Sequence, residues 1–415
     1  MQLKIKNILS VIVLMLFFVP AKAQFVVDST AIDSIVQLKE KEPIEANFLF
    51  SYYEQDGTKS PVTGGIGNEE LKDMVGKVSL NIPINDTIKF SFLAGIDIYS
   101  SASTDNINNE YGLYTETSAS AKDKRTYGNL GVEIKNDKRR LKYGGGIGVS
   151  NEYDVTSFNY NAFISKLSKN RNTLYYLKAG AYHDFWQLIY PSELRWLDEN
   201  DALLTESTRN TFNGTFTLTQ DLNARMKASI SLETVYQQGL LSTPFHRVYF
   251  NDANTHDIER LPNSKLKIPI GLYYNVYLNK YLVLKLFYRY YYDDFDVKAH
   301  TTSIELPIRP TQSFAFIPFY RYHTQTAAKY FQPFGHHSIN EEYYTSDFDL
   351  GNIATNRVGL ELRYSPFVKL GKITKKKNLT LKKIALRGSK YFRTRESELI
   401  LKSYIIALEL SFRFD

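Results

Sequence analysis

Leu399-Ile400-Leu401-Lys402-Ser403-Tyr404-Ile405-Ile406-Ala407-Leu408-Glu409-Leu410-Ser411-Phe412-Arg413-Phe414-Asp415 closes the chain. Tyr404, Ile406, Leu408, Leu410, Phe412 and Phe414 share one parity. Ser403, Glu409, Ser411 and Arg413 share the other, with Ile405 and Ala407 among them. Side chains on a strand alternate between faces, so this is a strand with one greasy face and one mostly wet face. A strand of about ten alternating residues, ending an exported chain on Phe-x-Phe, suits a transmembrane β-barrel.

The other end agrees. Lys4 and Lys6 precede an apolar run from Ile8 to Val19, followed by Pro20 and Ala21-Lys22-Ala23. This is the pattern of a secretory signal with an A-x-A cleavage site. Residues 1–23 are therefore expected to be removed, and Gln24 in place of Cys does not indicate the lipoprotein route. The acid- and lysine-rich stretch 24–43 is expected to be a short periplasmic leader, too short for a plug domain. No later stretch is apolar and long enough to span a bilayer as a helix, which needs about 20 residues.

Tyr numbers 31 and Phe 26 of 415 residues. Aromatic girdles at two membrane interfaces account for such numbers better than a soluble core does. Cys is absent, which excludes disulfides and thiolate chemistry. Loss of the signal removes three lysines and no acid, taking the net charge from +7 to +4. That is too mild to imply a nucleic-acid partner.

From Ile44 onward, alternating segments of about ten residues recur between turn residues, as in Ile88-Phe90-Phe92-Ala94-Ile96-Ile98 and Leu266-Ile268-Ile270-Leu272-Tyr274-Val276-Leu278. They predict an all-β, antiparallel outer-membrane barrel over 44–415 with about 16 strands. Fourteen is the alternative if the less regular segments near 379–393 or 297–308 lie outside the wall. Connection lengths alternate as barrels require. If both termini are periplasmic, the outer loops fall near 54–74, 100–126, 184–208, 239–264 and 327–352, all long, and the inner, periplasmic turns near 85–86, 136–139, 166–172, 220–222, 279–280 and 309–311, all short. Exceptions are short outer turns near 151–154 and 293–296 and a long Lys-rich inner connection at 366–378.

The parity opposite each apolar row should line the lumen, because charge against lipid is costly. It places Arg225, Lys227, Lys265, Lys267, Lys285, Arg289, Arg321, His323, Arg357 and Arg363 inside, among other bases. Acids on that parity, such as Asp97, Glu305, Glu361 and Glu409, are fewer. At one strand, Leu284 should face lipid near the midplane and Lys285 the lumen. Rings of Lys and Arg favour anions in a pore. Alternatively, cross-strand ion pairs brace the wall and fill a closed lumen.

Chemistry beyond transport has little support. Seven histidines are present, and His300 lies near Thr301, Thr302 and Ser303, but no G-x-S-x-G elbow accompanies them, so no enzyme and no cofactor are expected, a rim hydrolase or acyltransferase being the third and least favoured reading. His336-His337 with Glu341 and Glu342 offers imidazole and carboxylate donors for a divalent metal, against the plainer alternative of a solvated polar loop. Gly144, Gly145, Gly146 and Gly148 precede no helix and mark close packing rather than a phosphate site. Trp186 and Trp196 suit the outer aromatic belt or the loop above it.

Several segments together resemble an uncharacterised outer-membrane barrel family, domain of unknown function 3570. They include Ser100-Ser101-Ala102-Ser103-Thr104-Asp105, Thr117-Ser118-Ala119-Ser120-Ala121-Lys122-Asp123 and Thr243-Pro244-Phe245-His246-Arg247-Val248-Tyr249-Phe250. Further on come Arg260-Leu261-Pro262, Tyr288-Arg289-Tyr290-Tyr291-Tyr292-Asp293-Asp294-Phe295 and Phe319-Tyr320-Arg321-Tyr322-His323-Thr324-Gln325-Thr326-Ala327-Ala328. The resemblance implies a barrel and an outer-membrane location, and no activity. The expected function is a porin-like channel or transporter for small, anionic solutes. The alternative is a loop-closed barrel serving as a platform for a surface or periplasmic partner. Expected surroundings are outer-membrane lipid, lipopolysaccharide and the barrel assembly machinery of a Gram-negative cell, with oligomeric state open.

Overall fold

The computed structural model describes residues 42–101, 123–191, 194, 205–252, 255–374 and 377–414. The expected signal and nearly all of the leader lie outside these residues, as does Trp196. Among the described residues no helix is long and apolar enough to cross a membrane.

Among the described residues, alternation becomes nineteen strands. These are β1 (Ile44–Gly57), β2 (Leu71–Pro83), β3 (Ile88–Ser101), β4 (Asp123–Asn136), β5 (Leu141–Asn151), β6 (Val155–Leu167) and β7 (Thr173–Gln187), then β8 (Glu206–Asn223), β9 (Met226–Gly239), β10 (Arg247–Tyr249), β11 (His256–Ile258) and β12 (Ser264–Asn279). The last are β13 (Leu282–Asp293), β14 (Lys298–Glu305), β15 (Phe314–Gln325), β16 (Ile353–Tyr364), β17 (Val368–Thr374), β18 (Lys377–Arg395) and β19 (Glu398–Phe414).

Sixteen of them form one closed antiparallel wall. It runs from β1 to β9 in order, then β12 to β16, then β18 and β19, and β19 pairs back onto β1. The seam is regular, from Ile44 opposite Phe414 to Gly57 opposite Leu401. Both irregular segments questioned in the sequence, now β14 and β18, are in the wall, so the barrel has sixteen strands rather than fourteen. Part of the expected inner connection at 366–378 is strand. There β17 pairs with the start of β18, where the ladder between β16 and β18 has ended at Tyr364.

Parity sorts the faces as expected. Phe50, Phe90, Ile98, Leu130, Ile147, Phe158, Leu177, Phe216, Leu272 and Val358 all point outward and are exposed. Burial inside a protein cannot explain that many; an apolar solvent around the barrel can. Leu284 does face outward, but it is the third residue of β13, close to the inner rim rather than the midplane. Wall strands reach 19 residues, more than the 9–11 a bilayer needs. The surplus at the outer end turns polar on the same outward parity, where Lys72 pairs with Glu54 at 3.2 Å and Lys402 with Asp56 at 2.6 Å.

Closure leaves no free edge to start unfolding. An unheated sample in detergent is therefore expected to migrate differently from a boiled one on a gel and to partition with outer membranes. Identical migration and recovery in the soluble periplasmic fraction would contradict a membrane barrel.

Candidate functional site

Two features give this barrel its character: an arginine-bearing inner wall and a cap of folded loops. Cross-strand register sets one row of Arg289, Thr301, His323, Thr355 and Arg393 across β13, β14, β15, β16 and β18. The next row toward the inner side holds Phe287, Ser303, Arg321, Arg357 and Tyr391. Adjacent strands at matching parity thus bring Arg289, Arg321 and Arg357 onto one patch of the lumen.

Many inner bases are paired, as the bracing alternative expects. Lys285 meets Glu305 at 3.8 Å, Lys227 meets Asp221 at 3.1 Å, and Arg363 meets Glu361 at 2.5 Å. Arg387 spans Glu305 at 3.1 Å and Glu361 at 3.0 Å, with its guanidinium 3.8 Å from the Phe319 ring centroid. Glu305 and Glu361 are therefore committed elsewhere. Among the described residues no carboxylate pairs with Arg289, Arg321 or Arg357. Arg289 rests 5.9 Å from the Tyr291 ring centroid, and Arg357 donates to Ser389 Oγ at 3.0 Å. Arg321 is exposed to the lumen. His323 sits between Thr301 Oγ1 at 2.8 Å and Gln325 Oε1 at 3.2 Å.

Two expected lumen residues are placed elsewhere, and a third is half-buried. Lys265 is buried, 2.9 Å from Asp293 and 4.0 Å from the Phe295 ring centroid, so it is no pore charge. Lys267 is half-buried on the same strand, in register with Asp293. Arg225 lies in the two-residue turn between β8 and β9, at the inner rim.

The cap is built by loops that start far apart. The connection after β1 and the connection after β9 lie diametrically opposite, eight wall strands apart in either direction. Yet they meet: buried Arg247 donates from its guanidinium to Val62 O at 2.9 Å. Gly64 and Gly65 have φ of 77° and 86°; a Cβ on either would fall 2.6 Å from the Tyr249 ring or 2.7 Å from Ser346 O. Only glycine tolerates that turn and that approach together. The loop between β15 and β16 joins them through bridges from Phe250 to His337 and Arg260 to Tyr344. Phe295, Phe331, Phe348 and Leu261 form a shared apolar core. Loops from opposite sides can touch, as Arg247 and Val62 do, only by crossing the mouth, so the outer end is spanned.

The cap is tied to the wall below it. Asp349 pairs with lumen-facing Arg393 at 2.7 Å, and Gln325 donates to the carbonyls of Asp349 and Gly351 at 2.8 and 2.9 Å. The arginine patch thus lies directly under the cap. A cavity of about 380 Å³ remains between the cap and the opposite wall, lined by Tyr99, Asp123, Glu152, Trp186, Arg209 and His246. Trp186 points into this cavity, stacked 5.1 Å from the Arg209 guanidinium, rather than into an outer belt. Burial pushes Glu152 up to about 7, and neighbouring Asp154 and Asp97 add to the push.

The metal set expected at 336–342 does not assemble. His337 is buried with Nδ1 2.6 Å from Glu341 Oε2 and Nε2 3.0 Å from Thr345 O, leaving no ring nitrogen for an ion. His336 and Glu342 are exposed. Sequence reasoning missed a second group, His246, Glu259 and Asp347, whose ligand atoms all lie within 4.8 Å of one another. Burial pushes Asp347 up to about 6, with Asp349 adding to it. For His246, burial opposes the charged form, but Glu259, Asp347 and Asp349 outweigh it and raise its pKa.

Several solved structures are similar to the chain at low identity. The ferric enterobactin receptor PfeA of Pseudomonas aeruginosa is 11% identical with a TM-score of 0.42, covering 85% of this chain and 54% of that one, so the chain spans about half the receptor's length. OccK9 (OpdG) of Pseudomonas aeruginosa is 6% identical with a TM-score of 0.41, covering 89% and 98%. A bacterial polysaccharide outer membrane secretin is 10% identical with a TM-score of 0.44, covering 89% and 98%. No protein with a curated description matches the chain. A family match does: residues 23–376 fit the family described as protein of unknown function (DUF3570), and the chain belongs to it.

Proposed function

We propose that the protein is a porin-like outer-membrane channel for small anionic solutes, with the cap setting its outer constriction. One observation carries this: Arg289, Arg321 and Arg357 share a lumen patch under the cap without a carboxylate partner among the described residues. Arg stays charged at any working pH, and an uncompensated row of it attracts anions and repels cations. The apolar outer face and the sixteen-strand girth, wide enough to hold water, support the rest. Solute would enter beside the cap, past Trp186 and Arg209.

The packed cap core favours a second reading, a barrel closed by its loops that serves as a platform for a surface or periplasmic partner. Planar-bilayer recording separates the two. The refolded protein is expected to conduct and to prefer anions in a salt gradient. Arg289→Ala combined with Arg321→Ala should move the reversal potential toward zero preference. An unchanged reversal potential would return both arginines to a structural role, and silence in several lipids would favour the platform.

A further inference from the structure

We propose that the cap holds a divalent transition-metal ion, of which zinc is the type, between His246, Glu259 and Asp347. Whether the barrel conducts does not bear on it. His246 Nδ1 lies 3.8 Å from Glu259 Oε1 and 3.8 Å from Asp347 Oδ2. That is too long for a direct hydrogen bond. Nδ1 is nonetheless wholly buried, has no hydrogen-bond partner among the described residues and lies equally far from both carboxylates. A buried polar atom left in that state calls for an occupant.

The spacing suits an ion. Three atoms all within 4.8 Å of one another share a point no more than about 2.8 Å from each, and zinc takes nitrogen and oxygen ligands at about 2.0–2.2 Å. Shifts of under about an ångström close the site. One imidazole and two carboxylates favour zinc over the hard cations, which prefer oxygen alone.

The surroundings hold the donors in place, as the outer partners of metal ligands do. Glu259 Oε2 accepts from Thr243 N at 2.7 Å, and its Oε1 accepts from Thr345 Oγ1 at 2.5 Å. Asp347 Oδ1 accepts from Asp349 N at 2.8 Å, which leaves Oδ2 toward the histidine. His246 and Glu259 come from the connection after β9, and Asp347 from the connection after β15. An ion here would clamp two of the three loops that span the mouth. His246 also lines the cavity beside the cap, so the ion would sit at that opening.

The test uses the refolded full-length barrel, freed of metal by chelator and dialysed against zinc, with bound metal counted by mass spectrometry. One zinc per chain is expected. His246→Ala and Glu259→Gln should each weaken binding by about tenfold or more, while His336→Ala, at an exposed histidine of the same cap, should leave it unchanged. Cobalt in place of zinc should give a visible absorption band that is lost in His246→Ala. Each variant's fold is checked by its heat-dependent gel shift. Absence of zinc from the wild type overturns the proposal, as does binding that survives both ligand substitutions or is lost in His336→Ala.

Discussion

Asp293→Ala is expected to destabilise the barrel by about 3–5 kcal/mol, the cost of stranding a buried charge. Asp293 is 1% exposed and ends β13. One oxygen meets Lys265 Nζ at 2.9 Å and Tyr291 Oη at 2.7 Å. The other accepts from the backbone of Phe295 at 3.0 Å and Val297 at 3.1 Å, shaping the turn that delivers Phe295 to the cap core. Removal frees two backbone donors and leaves the Lys265 ammonium buried against Phe295 without a counter-charge. Lys285→Ala is the control, because the pair with Glu305 is longer and partly exposed, and its loss should cost under about 1 kcal/mol. Denaturant unfolding in detergent, followed by tryptophan fluorescence, measures both. Equal shifts in the two variants would mean that the Lys265–Asp293 pair is not the keystone of the outer rim.

Leu272→Arg should cost about 2–4 kcal/mol, since it sets a charge against lipid near the middle of the wall. Leu272 is the ninth residue of β12, 45% exposed, with Ile230 and Tyr288 beside it on the same outward face. Leu284→Arg tests depth as well as parity. It sits close to the inner rim, where a charge costs only about 0–1 kcal/mol. Membrane assembly yield and unfolding midpoint should both rank Leu284→Arg as the milder change. A reversed ranking would displace the apolar belt toward the inner end.

The wall was legible because its signal is local. A period of two needs only neighbouring residues, so even β14 and β18 could be counted, and alternating connection lengths checked the count. Facing was legible for the same reason: one outward residue fixes the parity of its strand. The partners of each base were not. Whether Glu305 serves Lys285, Arg289 or Arg387 depends on strand register and side-chain reach, and it goes to Lys285 and Arg387 rather than to Arg289.

The cap was hidden for a different reason. Its members are brought together only after closure sets the connections after β1 and β9 opposite each other. His336, His337, Glu341 and Glu342 looked like a ligand set because they are adjacent in sequence, but the backbone turns His337 into the core. His246, Glu259 and Asp347 carry no such adjacency. The available hint was the family resemblance, which had marked the segment from Thr243 to Phe250, Arg260-Leu261-Pro262 and Phe295, all of which turn out to belong to the cap.

The seam between Ile44 and Phe414 also governs how this molecule can be made. Joining the first wall strand to the last is the longest-range pairing the chain offers, and such contacts slow folding because the intervening chain must be ordered first. The ring cannot close until β19 is available. A product cut short before Glu398 would keep fifteen wall strands and present two unpaired rims, from β1 and β18, to any other strand nearby. Completion of the seventeen residues of β19 therefore separates a sealed cylinder from an adhesive sheet.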